Sequence, residues 1–196
     1  TIAHNTITVW DPAEPFIRNW ATGSVTSNDG GQWFMTTAYP KLVDAQPGGV
    51  NHIDGVTAFD HRDALTYVVG NASKAYWPEK LDQEQGFVRS LVFLRRPALA
   101  EHPVVLVYDR VVVQPGKEGL TKRFLLHTAT EPTAASEVAL GGGQYQLGGT
   151  LVTVRNGGGA LFVEMLLPES ATLTKIGGRT PEEGVALIRT RSNFLS

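Results

Sequence analysis

The residues of this chain best suited to proton transfer or metal binding are its five histidines, two of which have aspartates nearby. His52 is followed by Asp54, and His61 directly follows Asp60. Imidazole and carboxylate groups together are a common donor set for zinc. The nine-residue spacing of the two histidines matches no compact ligand signature. The pattern alone therefore does not define a metal site at these positions.

The remaining three histidines have different surroundings in the sequence. His102 precedes a proline at the start of a predicted strand, and we interpret it as a solvent-exposed turn residue. His127 ends an apolar run, where a histidine satisfied within a sheet is expected more often than a catalytic one. His4 stands before an amide and a hydroxyl, Asn5 and Thr6, where a strand begins. By itself this pattern fits a surface histidine as well as a functional one.

Two further kinds of catalytic or binding motif are excluded. The glycine cluster Gly141–Gly143 has neither a Gly-Lys-Ser/Thr sequence nor a predicted helix after it, so it is not a phosphate-binding loop. We interpret it as a hairpin turn. The chain also contains no Gly-x-Ser-x-Gly elbow, which leaves a serine-hydrolase triad without its nucleophile.

Composition excludes several classes of partner. The 196 residues carry 17 basic and 19 acidic side chains, a net charge of −2, which gives no electrostatic reason to expect binding to nucleic acid or to an anionic membrane surface. No apolar run reaches the roughly 20 residues that span a bilayer. Since the chain has no cysteine, a metal site would depend on His, Asp and Glu.

The elements that must position these residues are predicted to be short strands. Runs rich in Val, Leu, Phe and Tyr alternate with Gly- and Pro-rich turns, and no long segment has an apolar period of 3.6. We therefore predict an all-β fold, an antiparallel β-sandwich forming one domain over residues 1–196. Gln144–Leu147 and Thr150–Val154 are predicted to form a tight hairpin across Gly148-Gly149. The predicted strands are Thr6–Trp10, Leu65–Val69, Phe87–Leu94, Val104–Val113, Phe124–Leu126, Thr150–Val154, Ala160–Leu167 and Val185–Arg189.

A set of motifs recurs in a fixed order along the chain, beginning with a His-Asn-Thr strand and running to about Gly178. Its segments are His4–Val9 with Asp11-Pro12, Asn28–Gln32, Tyr67–Tyr76, Phe87–Leu94, Val107–Val111, Phe124–Thr128 with Glu131-Pro132, Leu166–Glu169 and Ile176–Gly178. This ordered set resembles the heparinase II/III-like polysaccharide lyases, with the heparinase II branch the most similar, and it departs from that family at Asn71, where the family has an acid. Because the chain starts inside the first motif and without methionine, we expect it to be a fragment of a longer protein.

The resemblance implies that this chain is the C-terminal β-sandwich domain of a lyase that also has an N-terminal α/α toroid. Such enzymes cleave uronate-containing polysaccharides by β-elimination, and their catalytic Tyr and His residues would lie outside this chain. The family also holds a structural zinc ion through His, Asp and His, the last of which corresponds to His4. The other two ligands would lie upstream of this chain. An internal set of His4, Asp29 and His52 is the alternative.

The resemblance also implies the partners. We expect an acidic polysaccharide of the heparin, heparan sulfate or alginate type, the helical domain of the same protein, and a periplasmic or secreted location. A homodimer is left open. The alternative function is a non-catalytic carbohydrate-binding or structural β-sandwich module. The sequence of the region upstream discriminates between the two functions, because a long helical region with Tyr, His, Arg and Asn is expected only for the lyase.

Overall fold

The computed structural model describes residues 5–14, 17–18, 25–26, 30–32, 42–49, 52–95, 102–177 and 194–195. In these ranges there is no α-helix, and the helical segments are short 3-10 turns at Leu42–Ala45 and Ser73–Ala75. Every strand pairing with a described register is antiparallel, which confirms the predicted all-β antiparallel fold. The strands are β1 (Ile7–Trp10), β2 (Ile17–Arg18), β3 (Val25–Thr26), β4 (Gly55–His61), β5 (Leu65–Asn71), β6 (Phe87–Leu94), β7 (Val104–Val111), β8 (Thr121–Phe124), β9 (His127–Thr128), β10 (Ser136–Gly141), β11 (Gln144–Gly148), β12 (Leu151–Asn156), β13 (Gly159–Glu164), β14 (Leu173–Ile176) and β15 (Phe194–Leu195).

The chain divides into two compact units. The first unit contains Thr8–Lys122 together with Thr1, and the second contains Ile2–Ile7 and Arg123–Ser196. Strands β1 and β8 pair with each other. The division into units does not test the predicted single domain over residues 1–196, which stays a prediction.

The first unit is built on a four-stranded sheet with the order β4-β5-β6-β7, in which neighbours in sequence are neighbours in space. Its strands are rich in β-branched and aromatic residues, which favour the pleated backbone. The buried side chains of this unit include Val9, Tyr76, Leu81 and Phe87. The rings of Tyr76 and Phe87 meet edge to face at 5.7 Å, an arrangement that fixes the segment after β5 against the start of β6.

The second unit contains a five-stranded sheet with the order β10-β11-β14-β15-β9 and a separate β12–β13 hairpin. Its buried apolar residues include Ile7, Leu125, Leu147 and Val152. Lys175 on β14 is also buried, at 1% exposed, and its Nζ contacts the carboxylates of Glu131 and Glu137. The positive charge is therefore compensated where water cannot reach it.

The predicted hairpin between Gln144–Leu147 and Thr150–Val154 is wrong. Strand β11 pairs with β10 on one side and with β14 on the other, whereas β12 pairs with β13. The β10–β11 connection is made by Gly141–Gly143, whose three residues all have positive φ, and these glycines are hairpin turn residues as predicted. Since Gly148-Gly149 and Gly141–Gly143 are both plausible turns by composition, only the long-range pairing selects between them.

Several strand boundaries also differ from the prediction. The ladder of β8 ends at Phe124, so Leu125 lies beyond it, buried and bonded through its N–H to the carbonyl of Thr6. Strand β13 ends at Glu164 because its partner Leu151 is the first residue of β12. The predicted strand Val185–Arg189 lies outside the described residues. The strands that were not predicted are β2, β3, β4, β9, β10, β14 and β15.

Candidate functional site

In the second unit, Asn5 of the His-Asn-Thr motif contacts His127 of the Leu-Leu-His motif. Asn5 stands two residues before β1, and His127 is the first residue of β9. The side-chain carbonyl of Asn5 accepts a hydrogen bond of 2.7 Å from the main-chain N–H of His127. The same oxygen lies 3.0 Å from Nδ1 of the His127 ring. Two residues that lie 122 positions apart in the sequence therefore form one polar cluster.

This contact determines the state of the His127 ring. The main-chain N–H of His127 can only donate, so it identifies the Asn5 atom that it meets as the oxygen of the amide. An amide oxygen can only accept, and Nδ1 of His127 must therefore carry a hydrogen. In the neutral ring Nε2 is then the acceptor. A histidine with one nitrogen fixed in this way presents the other to a hydroxyl, a proton or a metal ion.

His4, the predicted zinc ligand, lies outside the described residues, as does Asp29 of the alternative set. No group of three or more His, Cys, Asp or Glu side chains with metal-binding geometry occurs among the residues that the structure describes. These residues therefore do not supply a complete zinc site, and a site through His4 stays a prediction that requires ligands from elsewhere.

His52 and His61 are not brought together. His52 precedes β4 and His61 ends it, so roughly 20 Å of extended backbone separates them. The Nδ1 of His52 meets the carbonyl of Ala45 at 3.1 Å, and its Nε2 lies 3.6 Å from Asp54, which also pairs with Lys74. His52 and His61 therefore do not form a shared metal site. His102 is exposed just before β7, as predicted for a turn residue.

Asn71 stands where the lyases that the sequence resembles have an acid, and both ends of its amide form hydrogen bonds. The Oδ1 of Asn71 accepts hydrogen bonds from the N–H and the hydroxyl of Ser73, while its Nδ2 donates to the carbonyl of Glu84 at 2.6 Å. A carboxylate at this position has no hydrogen to donate and would face the carbonyl oxygen. Both the oxygen and the nitrogen of the Asn71 amide therefore form hydrogen bonds. These bonds connect the end of β5 to the following 3-10 turn and to the carbonyl of Glu84.

Two other motif segments pair with each other. Arg89 on β6 and Asp109 on β7 lie directly opposite in the ladder. Nε and one terminal nitrogen of Arg89 each bond to a different carboxylate oxygen at 2.7 Å, a two-pronged ion pair. The guanidinium also lies 5.4 Å from the ring centre of Phe87. The Arg-containing strand and the Asp-Arg-Val strand are thus neighbours in one sheet and are linked by this ion pair.

The first unit contains a buried charge cluster that the sequence analysis did not predict. Lys80 is completely buried, and its Nζ lies 2.6 Å from Oε2 of Glu14 and 3.3 Å from the carbonyl of Gly30. Nearby, Lys117 bonds Asp11 at 2.6 Å. Each lysine also lies near an aromatic ring, Tyr76 for Lys80 and Trp77 for Lys117. The adjacent aromatic residues and proline of Tyr76-Trp77-Pro78 were the one signal available that Lys80 is enclosed.

The environment of Asp11 lowers the pKa of its carboxyl group. Burial by itself raises the pKa of the Asp11 carboxyl. Hydrogen bonds from Lys117 and from the Ala13 N–H, together with the charges of Lys117 and Lys80, outweigh burial and hold that pKa below its ordinary value. The cluster therefore favours the ionised carboxylate. Its two acids and two bases are balanced, which is typical of a structural site.

Comparisons of the chain with protein-family models, with curated proteins and with solved structures gave no match. Functional interpretation consequently depends on the residues described above and on the motifs that they belong to. In the part of the chain that the structure describes, no helix is long and apolar enough to cross a membrane.

Proposed function

We propose that this chain is the C-terminal β-sandwich part of a polysaccharide lyase that resembles the heparinase II/III-like enzymes and acts on uronate-containing polymers. In β-elimination the uronate carboxylate is neutralised and a base removes the C5 proton. The electron pair forms the C4–C5 double bond as the C4–O bond breaks, and an acid protonates the departing oxygen. The base and the acid belong to a helical domain upstream, and export to the periplasm or the medium gives access to the polymer.

The observation that supports this proposal is the contact between Asn5 and His127. It joins the His-Asn-Thr and Leu-Leu-His segments, two motifs of the resemblance that lie 122 residues apart. The alternative is that Asn5 has only a structural role and connects the two strand ends by its hydrogen bonds. The fixed Nδ1–H tautomer favours a functional use, because it leaves the Nε2 of His127 as an acceptor for a sugar hydroxyl. His127 is given this binding role and is not the catalytic base.

The experiment compares two forms of the protein. The full-length protein and the 196-residue chain are each incubated with alginate and with heparan sulfate, and formation of the unsaturated product is followed by its ultraviolet absorbance. We expect product from the full-length protein with at least one polymer and none from the chain. Elimination by the chain alone would place the catalytic groups here and contradict this assignment. The absence of product with every uronate polymer would contradict the lyase function itself.

A non-catalytic carbohydrate-binding or structural module is the second candidate. One observation favours it, namely that the β4–β7 sheet exposes large apolar side chains, including Phe59 and Val105. Binding of a polymer by the full-length protein without product would select this alternative. A long helical region upstream with Tyr, His, Arg and Asn would select the lyase.

A further inference from the structure

The turn between β12 and β13 contains the single Asn-Gly dipeptide of the sequence, Asn156-Gly157. Asn156 pairs with Gly159 at the end of the ladder, which leaves Gly157 and Gly158 as the two residues of the turn. Gly157 has a φ of 57°, and a positive φ at the first turn residue is typical of the turns that close two-residue hairpins. The asparagine is therefore followed by two residues without side chains.

The reactive groups of this dipeptide are open to solvent. Asn156, Gly157 and Gly158 are all exposed, and a Cβ on either turn glycine would have no heavy atom within 4 Å. In the part of the chain that the structure describes, no hydrogen bond is formed by the side-chain amide of Asn156 or by the main-chain N–H of Gly157. Neither group has to give up a protein hydrogen bond before it can react.

The other two described asparagines are held in place. Both ends of the Asn71 amide are bonded, and the main-chain nitrogen that follows it, that of Ala72, donates to the carbonyl of Phe87 at 3.0 Å. The Oδ1 of Asn5 accepts two hydrogen bonds from His127. Among the asparagines that the structure describes, Asn156 is therefore the one whose amide is free.

We propose that Asn156 is a site of spontaneous deamidation, in which the chain itself supplies the nucleophile and water is the co-reactant. The main-chain nitrogen of Gly157 loses its hydrogen to hydroxide and bonds to Cγ of Asn156, closing a five-membered succinimide ring. The bond from Cγ to the amide nitrogen breaks, and that nitrogen takes up a proton and leaves as ammonia. Water then opens the ring at either carbonyl, which gives aspartate or isoaspartate. One water is consumed for each ammonia released, and no redox step is involved.

The position of Asn156 in the hairpin allows this reaction in the folded protein. Ring closure requires Asn156 to leave the extended conformation, and because it is the last residue of β12, only its pair with Gly159 has to open. The exposed end of a ladder opens at a much lower free energy than the whole domain. Farther along the strand, Val152 and Val154 are buried and stay packed. Gly157 carries no Cβ that would hinder the approach of its nitrogen.

The product changes both the charge and the backbone of the turn. Either form carries a carboxylate in place of the amide, which makes the chain one unit more negative than its net charge of −2. In isoaspartate the main chain also runs through the former side-chain carbon, which adds one methylene to the backbone. The pair between positions 156 and 159 then cannot re-form in register. Because Val152 and Val154 hold the strand, we expect a local change at the turn without global unfolding.

The test follows the 196-residue chain during incubation in neutral and in mildly alkaline buffer. Isoelectric focusing separates the more acidic products, peptide mapping by mass spectrometry locates them, and an ammonia assay gives the stoichiometry. We expect aspartate and isoaspartate at position 156, one ammonia for each, and faster conversion at the higher pH because the attacking nitrogen must lose its hydrogen. Asn71 in the same samples is the internal control and should keep its amide.

Asn156→Gln is the matched variant, because it retains an amide but would have to close a larger ring, and it should yield far less of the acidic product. A peptide of residues 151–164, too short to hold a stable hairpin, gives the rate for the same sequence without the fold. If the peptide converts while Asn156 stays intact in the chain, the fold protects the turn and the proposal is overturned. An undiminished acidic product in Asn156→Gln, or equal conversion of Asn71, would also overturn it. Mapping of the unchanged chain does not depend on how the variant folds.

Discussion

Asn5 and His127 share one oxygen atom between two hydrogen bonds. The Oδ1 of Asn5 accepts from the main-chain N–H of His127 at 2.7 Å and from its Nδ1 at 3.0 Å. The side chain of Asn5 therefore holds the first residue of β9 and determines the tautomer of its histidine. These two hydrogen bonds define the candidate site.

Asn5→Ala should destabilise the protein by about 0.5–1.5 kcal/mol, because two hydrogen bonds to His127 are lost at an exposed site where water can replace the acceptor. Asn5→Asp keeps an acceptor oxygen and should lose less. Urea unfolding measures the free energy, and nitrogen NMR shifts of the His127 ring report the tautomer. We expect hydrogen on Nδ1 in the unchanged protein and a mixture of tautomers in Asn5→Ala. An unchanged protein with hydrogen on Nε2 would contradict the assignment.

Glu14→Gln should cost about 3–5 kcal/mol of unfolding free energy, because it leaves the Lys80 ammonium buried without its negative partner. Glu79→Gln is the matched control, as Glu79 precedes Lys80 in the sequence but is exposed. Its effect should stay within about 0.5 kcal/mol. A Glu14→Gln loss as small as that of the control would show that the pair contributes nothing to stability.

The ion pair of Asp11 should make stability depend on pH in the acid range. The folded-state pKa of Asp11 lies below its ordinary value, so the unfolded state takes up a proton first as the pH falls. The full contribution is present above the ordinary pKa and is lost as the pH falls through the folded one. Asp11→Asn should flatten the unfolding free energy between about pH 5 and 2. Asp63→Asn, at an exposed turn, is the control, and equal flattening there would contradict the prediction.

His4 is predicted to be a structural zinc ligand in the full-length protein. His4→Ala should release zinc and lower the melting temperature without changing which polymer is cleaved, because the ion would hold segments together rather than contact substrate. His52→Ala and His61→Ala should retain the metal. Elemental analysis of the purified proteins measures the zinc content. Stoichiometric zinc in the 196-residue chain that survives His4→Ala would contradict the assignment.

Much of the local structure could be predicted from the sequence alone. Phe87–Leu94 is a strand over its whole predicted length, and Gly141–Gly143 forms a turn. Both follow from the preferences of neighbouring residues, since β-branched and aromatic side chains favour extended backbone and glycine permits positive φ. The absence of long amphipathic periods likewise predicted an all-β chain. These properties depend on a few adjacent residues.

Only the tertiary structure decided which segments meet. The pairing of β11 with β10 and β14, the enclosure of Lys80 with Glu14, and the bond from His127 to Asn5 each join residues that are separated along the chain. Composition permits several such pairings, and the one that forms is the one that satisfies buried polar groups and covers apolar surface together. The sequence determined strands such as Phe87–Leu94, whereas long-range register and burial determined which chemical groups became neighbours.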